Sequence, residues 1–145
     1  MKAVAVGVSL AFTLVSLSLL RGDDRKAGPD KLPPPAAGTM NFAKDIKPIL
    51  ERSCIRCHSD PKIPRNQAPN KGGLNLESRE AALQGGATGV VIIPGKSATS
   101  PLIHLVSGFP VGDVRAMPPR EGARLSKEEI GKLRAWIDQG AVWAK

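Results

Sequence analysis

Tyrosine is absent from this chain of 145 residues, and its aromatics amount to three phenylalanines and two tryptophans. Phe12 falls in an apolar N-terminal stretch, which leaves Phe42, Phe109, Trp136 and Trp143 for a folded core. A core so short of large rings needs another body to fill it. At 15.3 kDa the chain fits one small domain and cannot hold a large enzyme core. Only one long apolar run occurs, which excludes a multi-pass membrane protein, and charged residues at 23% are too few for a disordered polyelectrolyte. The net charge is +8, yet the basic residues are scattered singly and are not interleaved with stacking aromatics. That pattern describes a solvated cationic surface, suited to steering an acidic partner, and argues against nucleic-acid binding.

The apolar run is 3–20, eighteen uncharged residues of which thirteen are apolar. It exceeds the usual hydrophobic region of a signal peptide and just reaches the ~30 Å thickness of a bilayer's hydrocarbon core. Ser16 and Ser18 are small enough for a cleavage site, although no Ala-x-Ala is present, and Arg21, Arg25 and Lys26 follow. Residues 1–20 are therefore expected to be a signal peptide or a membrane anchor. Either one exports the remainder to the periplasm or cell envelope, soluble or tethered. Residues 21–40 carry Pro29 and the run Pro33, Pro34 and Pro35, with three glycines and no apolar periodicity, and are expected to form a linker. The domain is then 41–145, with a net charge of +6 and no internal repeat.

Four helices are predicted. In 42–53, Phe42, Ile46, Ile49 and Leu50 share one face. Ser78 caps a short helix ended by Gly85 and Gly86, and Ser100 caps another that has Pro101 at its first position. Ser126-Lys127-Glu128-Glu129 is a capping box ahead of Ile130, Leu133 and Ile137, with Gly140 as the stop. Residues 90–93 are the only strand-like run. The fold class expected is mostly α, with long Gly- and Pro-rich loops.

Both cysteines fall in Cys54-Ile55-Arg56-Cys57-His58, the c-type haem attachment pattern. Two thiols three residues apart can each form a thioether with a haem vinyl group, and the next residue offers its imidazole to the iron. A porphyrin would also be the missing core body. Three other readings stay open. A thiol redox pair needs a thioredoxin-like βαβ context, which is absent. Zinc needs four ligands, for which His104 would have to join Cys54, Cys57 and His58. A structural disulfide would consume both thiols.

For the iron's sixth position the candidates are Met40, Met117 and His104. Met40 is too near His58 in sequence to reach the opposite haem face easily. Met117 lies 59 residues after His58, in Arg115-Ala116-Met117-Pro118-Pro119, where two prolines stiffen the backbone around a thioether that could otherwise be mere gap filling. His104, among Leu102, Ile103, Leu105 and Val106, suits a packing residue. Arg56 and Arg115 are candidates to pair with haem propionates or to face solvent. Trp136 and Trp143 suit packing of the last helix against the cofactor or the first helix.

With these residues, and with Asp45-Ile46-Lys47-Pro48-Ile49-Leu50, Gly72-Gly73-Leu74-Asn75-Leu76, Ile93-Pro94-Gly95, Met117-Pro118-Pro119 and Trp136-Ile137-Asp138-Gln139-Gly140, the chain resembles the planctomycete-type cytochrome c domain, a relative of class I monohaem cytochromes c. The likeness spans 42–143. It implies one covalent haem c held through Cys54 and Cys57, His58 as proximal and Met117 as distal iron ligand, and electron transfer in the cell envelope. One departure is the segment 59–71, with Pro61, Pro64 and Pro69, longer than its counterpart and placed beside the haem motif, so that the resemblance does not fix the cofactor's exposed edge or the partner surface there. Ligation by His and Met leaves no open site for substrate, so the expectation is an electron carrier and not an enzyme. Were the sixth position open, a peroxidase-like enzyme or a gas-binding sensor would follow, although no distal acid–base pair is evident.

Overall fold

Asn41 begins the helical part by closing two reciprocal bonds. Its side-chain oxygen accepts from the Lys44 N–H and its own N–H donates to the Asp45 carboxylate, both at 2.9 Å. The structure is a computed structural model that describes residues 31–60, 71–119 and 124–143. The predicted first helix is present as a π-helical turn, Phe42–Ile46, running into α1, Lys47–Ser53. Ile46, Ile49 and Leu50 are its buried face. Helix α2, Arg79–Gln84, is capped by the Ser78 hydroxyl, which accepts from the Ala81 N–H. It stops at Gly85, whose φ of 82° and 2.2 Å approach of a would-be Cβ to the Gly89 carbonyl admit only glycine.

Helix α3, Pro101–Val106, starts after Ser100, but that serine does not cap it. Its hydroxyl accepts from the Ile93 N–H at 2.9 Å and donates to the Lys96 carbonyl at 3.0 Å, closing the loop before the helix. The strand-like run 90–93 is irregular, and no strand occurs among the described residues. With no neighbouring strand to pair with, its backbone bonds go elsewhere. The Val91 carbonyl takes the Leu102 N–H, while Val91 and Ile92 are buried and Val90 is exposed. Helix α4, Lys127–Asp138, carries the expected capping box, with Ser126 and Glu129 bonded reciprocally.

The core lies where α4 crosses the first helix and α3. Ile46, Leu50, Ile103, Leu133 and Ile137 are almost wholly buried, with Leu76 and Ile92 beside them. After α4 the chain folds back through Ala141 at φ 50°, and Trp143 lies on Phe42 with ring centroids 4.8 Å apart. Trp136 meets Trp143 edge-on at 4.6 Å and Phe42 at 5.9 Å, so the last helix packs on the first through three of the four aromatics. The Trp136 indole N–H donates to the Val142 carbonyl at 3.0 Å. Arg52 of α1 also reaches Glu129 of α4.

Part of the segment before Asn41 lies against the helical body. Leu32 is buried, the Ala36 N–H donates to the Gly131 carbonyl at 2.9 Å, and Gln139 bonds both the Gly38 carbonyl and the Met40 N–H. Proline-rich composition signals an extended chain but cannot tell whether it lies on a helix. The run 3–20 and the rest of the linker lie outside the described residues, as do 61–70 of the departing loop. No helix among the described residues is long and apolar enough to cross a membrane.

Candidate functional site

The end of α1 tightens into the turn that carries the two cysteines. Cys54 and Ile55 both donate their N–H to the Leu50 carbonyl, at 2.8 and 2.9 Å. The Cys54 carbonyl then accepts from both Cys57, at 3.0 Å, and His58, at 2.9 Å. One carbonyl thus gathers the motif, and the two thiols and the imidazole follow each other within a single turn. Cys54 is buried, whereas Cys57 and His58 are half-buried. Both thiols are free, so no disulfide is formed. Burial pushes the Cys54 thiol up to about 12, against the Arg52 guanidinium and with the help of Cys57, so it is neutral at physiological pH.

The far side of the turn is braced by 74–77. The Leu76 N–H donates to the His58 carbonyl and the Asp60 N–H to the Glu77 carboxylate, both at 2.9 Å. Ser59 is fully buried directly after His58, and its hydroxyl has no hydrogen-bond partner among the described residues. Beside the turn lies a cavity of about 280 Å³ walled by Phe42, Leu50, Ile55 and Leu76, with Lys47, Glu51 and Glu77 around it. The Leu76–His58 contact was not evident from spacing, because it joins residues eighteen positions apart.

The candidates for the sixth position lie on other elements. The Met117 N–H donates to the Leu105 carbonyl at 2.9 Å, which ties its loop to α3, and the Met117–Pro118 peptide bond is cis. A tight turn precedes it, in which Val111 and Val114 exchange N–H···O bonds at 3.0 Å. His104 is half-buried with Nε2 2.8 Å from the Ala98 carbonyl oxygen, so that nitrogen is already engaged. Met40 packs against the core and its N–H is held by Gln139 at 2.8 Å. Arg56 and Arg115 are exposed.

The donor set on the turn fits a covalently held haem: two thiols for thioethers and one imidazole, at a helix end with apolar walls beside it. It does not make a zinc site with His104. Among the described residues no three His, Cys, Asp or Glu side chains are grouped to hold a metal ion.

Residues 54–121 match the family model described as Planctomycete cytochrome C. The match begins on Cys54 and runs through α3 and Met117. No curated protein matches the chain. No solved structure matches it either.

Proposed function

We propose that this chain, which carries a planctomycete-type cytochrome c domain and with it the family's haem-based electron transfer, is an exported monohaem electron carrier. The observation that supports it best is the turn in which the Cys54 carbonyl holds the N–H groups of Cys57 and His58. Haem c, when bound, supplies the one-electron couple. Cys54 and Cys57 would hold it through thioethers to its two vinyl groups, and His58 would offer the iron its imidazole nitrogen. Met117 would offer its thioether sulfur as the second iron ligand. Its loop is tied to α3 by a main-chain bond, while the competing His104 nitrogen is spent on Ala98. A His and Met pair raises the reduction potential and closes the iron to substrate.

The chain's residues then do three things. They bury the cofactor in a small helical domain of the cytochrome c type, keep water from the iron, and present a cationic surface to an acidic redox protein. The N-terminal run 3–20 directs the domain to the periplasm or cell envelope, where it is either soluble or tethered. The test is the absorption spectrum of the ferric and ferrous protein, expressed with export and c-type maturation. Covalent haem with the weak near-red band of an iron–thioether bond is the expected result. Covalent haem without that band would overturn ligation by Met117 and favour an open or histidine-held iron.

A further inference from the structure

We propose that the outer face of α4 is a docking site for the proline-rich segment 32–40, which becomes a fixed arm of the domain and not a free tether. Gly131 and Arg134 of α4, and Gln139 at its C-cap, take up main-chain groups of that segment in turn. Arg134 Nη1 donates to the Pro33 carbonyl, Gly131 accepts from the Ala36 N–H at 2.9 Å, and Gln139 donates to the Gly38 carbonyl at 2.9 Å while accepting from the Met40 N–H at 2.8 Å. A segment with Pro33, Pro34 and Pro35 cannot pair its own backbone, so its polar groups need partners from outside. Leu32 anchors the outer end by burial.

Two features of α4 make sense only with the arm in place. A Cβ at Gly131 would lie 2.8 Å from the Pro34 carbonyl oxygen, so the close approach requires glycine in mid-helix, where alanine would otherwise be the better helix former. Arg134 is buried, and its other bond is to the Ser97 hydroxyl at 3.2 Å, which is itself held by the Asp138 carboxylate at 2.8 Å. Without the Pro33 carbonyl a buried guanidinium would lose one of its two acceptors. Resting on the cell-envelope reading above, docking has a consequence for reach. Only residues 21–31 separate the hydrophobic run from the arm, and eleven extended residues span at most about 36–40 Å.

Hydrogen exchange of the Ala36 and Met40 amides tests the docking in the full-length, haem-loaded protein. Both amides are expected to be protected in the wild type. In Gly131→Ala the protection of Ala36 should fall at least about tenfold with the haem spectrum unchanged. Gln139→Ala, at an exposed side chain, should release Met40 while sparing Ala36, and keeps the test available should the first variant not fold. Unprotected amides in the wild type, or protection unchanged in both variants, would overturn the proposal. Exchange reports docking whether or not the chain is tethered, so failure of the envelope reading would leave this result standing.

Discussion

The main-chain N–H of Met117 donates to the carbonyl of Leu105, one residue before the end of α3, at 2.9 Å. The bond belongs to the backbone alone, so the loop's anchor and the thioether are separable. Met117→Ala should keep the loop tied and the haem attached. It should abolish the near-red band, lower the reduction potential and let the ferrous protein bind carbon monoxide. A variant whose spectrum and potential match the wild type would remove Met117 from the iron.

His104 gives the contrasting case. Its Nε2 lies 2.8 Å from the Ala98 carbonyl, at the turn Ser97–Thr99 that precedes α3. His104→Ala should leave the near-red band and the potential unchanged and cost about 1 kcal/mol of stability through the lost hydrogen bond. Loss of the band in this variant would transfer the ligand role from Met117.

Glu129 links two helices and responds to pH. Burial pushes its carboxyl up, but the Ser126 N–H and hydroxyl and the Arg52 guanidinium together outweigh it and hold the group below the usual carboxylate range. A pKa lowered by folding means that the stabilisation is present above the unfolded value and is lost as pH falls through the folded one. Glu129→Ala should therefore cost about 1 kcal/mol at neutral pH. The difference in Tm from the wild type should shrink to nothing in acid below the carboxylate range. Thermal melts of both proteins across pH decide this, and a difference that grew in acid would contradict it.

Trp136 is the largest wholly buried side chain and touches both Phe42 and Trp143. Trp136→Ala should cost about 3–5 kcal/mol, a large part of the ~5–15 kcal/mol a domain possesses, and reduce the yield of haem-loaded protein. Trp143→Ala, at a half-buried ring, should cost less. Denaturant titration gives both numbers, and equal losses would show that the ring cluster acts as one unit.

The cationic surface makes a prediction about partners. Electron exchange with an acidic redox protein should slow as salt rises, and exchange with a basic one should quicken, because screening removes attraction and repulsion alike. Stopped-flow rates at low and high salt measure it, and salt-independent rates with both would remove electrostatic steering.

Local signals explain what was legible. The capping box at Ser126 and Glu129 and the apolar face of Ile46, Ile49 and Leu50 involve neighbours three or four residues apart, and both are present as expected. Ser100 shows the limit of such signals. It has the right residue type for a cap, yet its hydroxyl closes the loop between Ile93 and Lys96, a competition that the pattern does not reveal. Residues 90–93 show another limit, since a run of β-branched residues makes a strand only if a partner strand exists.

Taken by itself, the amino-acid sequence determined the chemistry on offer: two thiols and an imidazole at fixed spacing, a lone methionine before two prolines, a net positive charge, and helices with their caps. Each of these is covalent or short-range and needs no knowledge of the fold. Only the tertiary structure decided that Leu76 braces His58, that Ala98 engages His104, that Phe42, Trp136 and Trp143 meet, and that 32–40 lies on α4. These pairs are joined by burial and by backbone groups seeking partners, and neither depends on nearness along the chain.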